Sequence, residues 1–178
     1  MFLSSTTTNF APLTLDEPLP LETRERVLCF PLGTEDTALL PLAQISEIIR
    51  VTIREILPVP EMPSCVLGIC NWRGEMLWLI DLNHLVGGSS LLHQAQLTAS
   101  VGVMVVQNSD RALGLAVPQV NDIELHDLQQ LQAAAPGLFP PKLLPFILGT
   151  LPGSRNIVLD VKAITQCPLW QIHRGRTI

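Results

Sequence analysis

The residues best suited to specific contacts with another molecule form one short polar stretch between two apolar runs. The stretch, residues 71–75, reads Asn-Trp-Arg-Gly-Glu and separates the apolar segments 66–70 and 76–80. Apolar runs of this length, bounded by turn residues, are typical of buried strands. Asn and Gly favour β-turns, Asn because its side chain bonds nearby backbone and Gly because it tolerates positive φ. The pattern predicts a hairpin with two buried strands and a tip that displays the Arg73 guanidinium.

Trp72, beside this arginine, has two interpretations that the sequence leaves open. An exposed Trp next to an Arg is typical of an interface anchor. A Trp at such a position also commonly folds back over the mouth of a barrel, where its ring is covered. Arg73 taken alone is most simply a solvated hairpin charge, since surface charges usually contribute little to stability.

Catalytic and cofactor signatures are missing from the sequence. The four histidines are widely spaced, at His84, His93, His126 and His173. No H-x-x-x-H pair or Cys/His cluster is present, so no metal site is predicted. The sequence also has no glycine-rich phosphate loop and no G-x-S-x-G motif, so we expect no cofactor and no nucleophilic serine.

Two aspartates occupy equivalent places at the ends of predicted strands. Asp81 and Asp160 each follow an apolar run, and paired carboxylates are able to perform acid–base chemistry. Asp is also among the preferred helix N-caps, and this interpretation is the stronger one. The cysteines lie among apolar neighbours without a C-x-x-C pair, which predicts core thiols and no disulfides. They are Cys29, Cys65, Cys70 and Cys167.

Composition limits the class of protein. The chain has 178 residues, of which 47% are hydrophobic and 15% charged, enough to bury a sizeable core. A net charge of −5 argues against a nucleic-acid partner, which requires a basic face. No apolar run reaches the roughly 18 residues that span a bilayer, and no signal peptide is recognisable. We therefore expect a cytoplasmic protein that is not membrane-spanning.

The fold class expected from the pattern of elements is mainly β, with short helices. Strands are predicted over 26–32, 37–42, 101–106, 112–117, 146–149 and 156–159, in addition to the central hairpin. Segment 43–51 fits either one helical turn or a strand, because its isoleucines have helical spacing but are β-branched. Short helices are predicted over 81–86 and 128–135, with loops at 89–98 and 136–145. Residues 1–24 are expected to be a flexible arm, 25–170 the folded domain and 171–178 a tail.

The second half of the chain repeats the first. Segments 36–39 and 45–48 align with 110–113 and 120–123, and segments 66–68 and 79–81 align with 147–149 and 158–160. Many short strands with Gly and Pro turns predict small barrels, and two such lobes would leave a groove between them. The second hairpin is two residues shorter and has no counterpart to Asn71 or Arg73. This asymmetry indicates that the first tip has a function beyond folding.

The sequence resembles the CheW-like domains, the coupling proteins of bacterial chemosensory arrays, from about residue 26 to 164. The strongest part is VLGICNWRGEMLWLIDL at 66–82, which is similar to the family's hairpin signature around N-x-R-G. Segment 45–49, ISEII, is similar to the family's V-x-E-I segment. The segments 56–60, 114–117 and 147–149 follow in family order.

The resemblance implies two SH3-like five-stranded β-barrel lobes and no enzymatic activity. It also implies two partners, the cytoplasmic tip of a methyl-accepting receptor and the regulatory domain of a CheA-type histidine kinase. The protein would then be an adaptor in chemotaxis or motility signalling, recruited to receptor arrays at the inner membrane. The protein-binding residues carried over from the family are Ile45, Glu47, Gly68, Asn71, Arg73 and Gly74. Trp72 at the tip is added to them.

Two rival functions remain at this point. One is a β-barrel module outside chemotaxis that binds a peptide or another protein; a nucleic-acid ligand is opposed by the acidic charge and by the lack of a basic aromatic strip. The other is an enzyme that uses Asp81 and Asp160 or the cysteines. Carboxylates in separate lobes would exclude paired chemistry.

Overall fold

The described residues form ten strands and a few short helices. The structure is a computed structural model and describes residues 21–94, 99–109 and 111–171. The strands are β1 (Glu25–Leu32), β2 (Asp36–Pro41), β3 (Ile45–Thr52), β4 (Val66–Trp72), β5 (Glu75–Asp81), β6 (Ser100–Asn108), β7 (Arg111–Val117), β8 (Ile123–His126), β9 (Ile147–Thr150) and β10 (Asn156–Leu159). The helices are α1 (Leu82–Leu85), α2 (Leu91–Gln94), α3 (Val161–Thr165) and α4 (Pro168–Gln171). Three-residue 3₁₀ turns occur at Leu42–Gln44, Ile53–Glu55, Leu128–Gln130 and Leu144–Phe146.

The strands form two five-stranded sheets, and each sheet combines strands from both halves of the chain. One has the order β8-β1-β2-β10-β9 and the other the order β3-β6-β7-β5-β4. We call them the outer-strand lobe and the middle-strand lobe, after the parts of the chain that build them. In each lobe a hairpin from one half joins a hairpin from the other through a parallel pair, β2 with β10 and β7 with β5. The predicted mainly β, two-lobed fold is confirmed.

The duplication is visible in the strand pairing, with one correction to the sequence alignment. Strands β1 to β5 of the first repeat correspond to β6 to β10 of the second. Replacing each strand by its counterpart converts one sheet order into the other. Leu39 pairs with Val158, and Gly114 pairs with Leu79. Because Val158 and Leu79 are aligned in the repeat, Leu39 and Gly114 are structural equivalents. The expected alignment of 36–39 with 110–113 is therefore wrong by one residue. Such a slip would move every side chain of the strand to the opposite face.

The central strands of each sheet bury both of their faces, whereas the edge strands β3 and β8 are partly exposed. Alternate residues point into the lobe's own interior or into a core shared by the two lobes. In β6, for example, Val103 and Val105 face the middle-strand lobe's interior, while Met104 and Val106 belong to the shared core. The shared core joins the two lobes into one packed unit. It also explains the continuous apolar runs of the sequence, because a strand with one solvent-exposed face alternates apolar and polar residues.

Each lobe is closed by a short antiparallel bridge that depends on a glycine. Leu57 pairs with Ile69 in the middle-strand lobe, and Gln132 pairs with Thr150 in the outer-strand lobe. At Gly68, φ is +141°, and a Cβ atom would lie 2.1 Å from the Leu57 carbonyl oxygen. The equivalent Gly149 would place a Cβ 2.9 Å from the Gln132 carbonyl oxygen. Both closures thus require two backbones to approach more closely than any side chain permits.

Most predicted elements are present, and the departures have local causes. Segment 43–51 is a 3₁₀ turn followed by strand β3, which settles the ambiguity between helix and strand. The helix predicted over 128–135 is wrong, because after Leu128–Gln130 the chain extends to pair Gln132 with Thr150. The loop predicted over 89–98 contains helix α2, while residues 95–98 lie outside the described part. The predicted arm and tail fall largely outside it as well.

Both strand-end aspartates are helix caps, as predicted. Asp81 is fully buried, and its two carboxylate oxygens accept the backbone N–H groups of His84 at 3.0 Å and Leu91 at 2.7 Å. Asp160 accepts the N–H of Ala163 at 3.0 Å. Each carboxylate therefore satisfies the free N–H groups at the start of a short helix, which is the structural use of Asp at this position.

Replacing Gly68 with alanine tests the closure. Gly68→Ala should lower the free energy of unfolding by about 3 kcal/mol or more, through strain at positive φ and the clash with Leu57. The matched control is Gly33→Ala, where φ is also positive (+68°) but no atom lies within 4 Å of the new Cβ. That control should lose about 1 kcal/mol. Equal losses in urea unfolding would show that the close approach is not a constraint.

Candidate functional site

The hairpin of β4 and β5 is closed by a tight two-residue turn. Arg73 and Gly74 occupy the turn, and both have positive φ, 52° and 81°. This is the geometry of a two-residue hairpin loop whose twist matches the flanking strands. Asn71 Oδ1 accepts the Gly74 N–H at 3.3 Å. The predicted hairpin is confirmed. Asn71 and Gly74 have the expected turn roles, because the Asn71 side chain bonds nearby backbone and Gly74 adopts a positive φ.

Trp72 is buried, so its interpretation as an exposed anchor is wrong. Its side chain belongs to the interior core of the middle-strand lobe. The indole Nε1–H donates a hydrogen bond of 2.9 Å to Oε2 of Glu47 on β3. The alternative, in which the ring folds back over the barrel mouth, describes the structure. A buried indole with its N–H at the rim is an arrangement that Trp commonly adopts.

Arg73 lies above this ring and remains accessible. One of its terminal guanidinium nitrogens is 3.1 Å from Glu47 Oε2, and its side chain is 67% exposed. The guanidinium carbon lies 5.0 Å from the centroid of the Trp72 ring, within cation–π range. The same carboxylate oxygen thus bonds both Trp72 and Arg73. We call these three side chains, Glu47, Trp72 and Arg73, the rim cluster.

A β-bulge in β3 directs Glu47 to this place. The pairing of β3 with β6 shifts between Ile45 and Glu47, so that Ile45 pairs with Val106 and Glu47 with Val105. Val106 faces the shared core and Val105 the lobe interior. Ile45 consequently packs against the shared core, while Glu47 points to the mouth of its own lobe. Re-aiming a side chain in this way is a recognised use of bulges.

The seven predicted binding residues therefore divide by environment. Asn71, Arg73 and Gly74 are exposed at the tip, and Glu47 is half-buried beside them. Gly68 and Trp72 are buried, and Ile45 is partly buried against the shared core. The structure brings the tip and Glu47 together, whereas Gly68 and Ile45 shape the backbone and the core beneath.

Two exposed apolar residues near the tip were not identified from the sequence. Met76, opposite Asn71 in the hairpin, is 75% exposed, although the sequence pattern predicted a buried strand. Ile48, which follows Glu47, is 44% exposed. A continuous apolar run has no alternation, so the sequence does not show which of its residues face solvent. The exposure of Met76 could not be predicted for this reason.

The equivalent hairpin of the outer-strand lobe carries no rim cluster. Its turn contains Gly153, and the arginine that follows, Arg155, bonds Asp36 Oδ1 through two nitrogens at 2.9 and 3.2 Å. Arg155 also donates to the Leu138 carbonyl at 3.3 Å. The Asp36 side chain is only 10% exposed, against 37% for Glu47. Arg155 thus bonds a carboxylate and a carbonyl of its own lobe, while Arg73 has one ion pair and is more exposed.

A groove also lies between the lobes, as the duplication predicts. It is mainly apolar, with a volume of about 530 Å³, and lies beside α1 and α3. Its lining includes Pro63, Cys65, His84, Phe146, Cys167 and Leu169. All four cysteines are buried and free, and burial raises the pKa of the Cys65 and Cys70 thiols. Neither is an activated nucleophile.

Comparisons with known proteins agree on one family. The family described as CheW-like domain matches residues 26–167. A curated relative from Rhizobium meliloti, named chemotaxis protein CheW, is 35% identical over 66 residues, which are 37% of this chain and 40% of that protein. The chain therefore matches less than half of the relative's length.

A solved structure has the same fold. It is described as the crystal structure of scaffolding protein TtCheW from Thermoanaerobacter tengcongensis. The TM-score is 0.63 at 20% identity, with 78% of this chain and 90% of that chain covered. Among the residues that the structure describes here, no helix is long and apolar enough to cross a membrane.

The rim cluster predicts unequal stability effects. Trp72→Phe keeps an aromatic ring but removes the donor to Glu47, and should cost about 1–2 kcal/mol in unfolding free energy. Arg73→Gln should cost less than about 1 kcal/mol, because the ion pair is exposed. Trp78→Phe on the same hairpin, which removes a half-buried indole outside the rim cluster, is the matched control and should cost less than Trp72→Phe. Chemical denaturation measures all three, and an Arg73 loss above that of Trp72 would contradict the assignment.

Proposed function

Because the chain belongs to the CheW-like domain family, we propose that it is a non-catalytic adaptor that couples methyl-accepting receptors to a CheA-type histidine kinase. The family match covers nearly the whole described chain. The relatives' names, a chemotaxis protein and a scaffolding protein, support a role in chemotaxis or motility signalling. In this role the protein would be recruited from the cytoplasm to receptor arrays at the inner membrane.

The rim cluster is the observation that supports a docking function for the first hairpin. Glu47 and the Trp72 ring hold the Arg73 guanidinium in one place, which reduces the entropy that an arginine loses on binding. A guanidinium has five N–H donors, and Glu47 contacts one terminal nitrogen, which leaves donors for a partner's carboxylate or backbone carbonyls. We infer that Arg73 supplies the central polar contact with the kinase's regulatory domain.

The surroundings of Arg73 suit a small protein interface. Met76 and Ile48 add exposed apolar surface, and the turn residues Asn71 and Gly74 add backbone groups. A contact of this type would bury about 1,000 Å² or less in total, the size typical of weak signalling interfaces. Many such contacts in an array increase the effective affinity through avidity.

Charge reversal at the rim tests the proposal. Arg73→Glu should weaken binding to the kinase's isolated regulatory domain by about tenfold to a hundredfold, measured by calorimetry or pulldown. Binding to the receptor's cytoplasmic tip is measured separately with the same variant. Unchanged binding to the kinase's regulatory domain would reject the assigned contact, whatever happens to receptor binding.

Two further variants separate docking from folding. Arg155→Glu reverses a matched arginine that also has an own-chain carboxylate and an aromatic ring, Phe139 at 5.7 Å. It should leave kinase binding unchanged for the folded protein. The double variant Glu47→Arg/Arg73→Glu restores an ion pair within the chain but should not restore binding. Recovery of binding in that double variant would show that Arg73 acts only by stabilising the rim.

A further inference from the structure

A second group of chemically active side chains lies in the outer-strand lobe, away from the rim cluster. Cys29 is on β1, and Glu124 and His126 are on β8. One ligand-type atom from each lies within 4.8 Å of the other two. Nearly a hundred residues separate Cys29 from the other two, so sequence spacing gave no indication of this cluster.

The pairing of β1 with β8 places the three residues on one face. Val27 pairs with Glu124, and the Cys29 N–H bonds the carbonyl of Asp122 at 2.8 Å. Side chains two apart on a strand share a face, so Cys29 and Val27 face the same way as Glu124 and His126. Val27 and Cys29 belong to the lobe's interior core. The cluster therefore lies where the lobe interior meets β8, the terminal strand of the sheet.

The repeat shows that the fold does not require polar residues here. Arg26 pairs with Leu125 in the outer-strand lobe, and Gly102 pairs with Arg50 in the middle-strand lobe. Arg26 is therefore equivalent to Gly102, and Leu125 to Arg50. Counted from these pairs, the positions equivalent to Cys29, Glu124 and His126 hold only aliphatic residues. They are Val105, Ile49 and Val51, all packed in or against the middle-strand core. Three core positions of one lobe are thus a thiol, a carboxylate and an imidazole in the other.

We propose that Cys29, Glu124 and His126 form a binding site for a divalent metal ion of the zinc type. Thiolate sulfur, imidazole nitrogen and carboxylate oxygen are the three protein ligand types of Zn²⁺, with bond lengths near 2.0–2.3 Å. Tetrahedral coordination at those lengths separates ligand atoms by about 3–4 Å. The ligand atoms already lie within 4.8 Å, so closure needs only small side-chain movements. Mg²⁺ and Ca²⁺, which prefer oxygen ligands only, fit less well.

The contact between His126 and Glu124 supports such a site. His126 Nε2 lies 2.6 Å from Glu124 Oε2, so these two ligands already converge. Burial raises the pKa of the Cys29 thiol to about 11, and the charges of Glu124 and Asp122 add to the effect. Binding of the ion therefore displaces the thiol proton to solvent as the sulfur–metal bond forms. The ion would connect the edge strand β8 to β1 and protect that edge.

The experiment is metal titration of the full chain after removal of metals with a chelator. Zn²⁺ is added in competition with a chromophoric chelator, and Co²⁺ is added to follow thiolate-to-metal charge-transfer absorption. We expect one equivalent to bind, with a rise in melting temperature that grows with free Zn²⁺. Cys29→Ser and His126→Ala should each weaken Zn²⁺ binding by at least about tenfold, since even the loss of a residue outside the ligand set costs that much. The charge-transfer band should vanish in Cys29→Ser.

Control variants keep the result decisive. Cys70→Ser removes a thiol that is equally buried but is not part of the cluster, and should leave binding and the absorption band unchanged. Glu124→Gln is nearly isosteric and serves where a larger change prevents folding; it should also weaken binding. Absence of binding by the wild-type chain at micromolar Zn²⁺ would overturn the proposal. So would binding that survives intact in folded Glu124→Gln and Cys29→Ser.

Discussion

Everything in this fold depends on the exchange of strands between the two halves of the chain. Each sheet is completed by a parallel pair that joins a hairpin of one repeat to a hairpin of the other, β2 with β10 and β7 with β5. Neither half can satisfy its backbone hydrogen bonds alone, and the faces that remain outside the lobe interiors meet in one shared core. A rigid body of two closed lobes results. Such a body would suit the proposed adaptor role, because a fixed surface loses little entropy on binding.

Duplication leaves two equivalent hairpins, and the chain uses them differently. In the outer-strand lobe Arg155 bonds a largely buried carboxylate and a backbone carbonyl, so its charge is used within the lobe. In the middle-strand lobe the rim cluster supports Arg73 from below and leaves it accessible. The same divergence separates the aliphatic triplet of one lobe from Cys29, Glu124 and His126 in the other. A position that serves only folding in one repeat is free to acquire a function in the other.

Local patterns predicted the local features well. Turn residues located the central hairpin, and the capping preference of Asp gave the correct roles of Asp81 and Asp160. What the sequence did not show depends on contacts between distant segments. The helix expected over 128–135 is replaced by a bridge to Thr150, and the buried Trp72 donates a hydrogen bond to Glu47, which lies 25 positions away. The strand exchange and the register of the repeat likewise follow from pairing, which composition and periodicity do not encode.

The proposed kinase-docking surface consists of the first hairpin tip and the adjacent part of β3, and chemical-shift mapping can locate it. Backbone amide resonances of the isotope-labelled full chain are recorded while the kinase's regulatory domain is added. We expect the largest changes at Glu47, Ile48, Arg73 and Gly74, with little change at Gly153 and Arg155. Changes centred on the second hairpin, with the first unaffected, would contradict it.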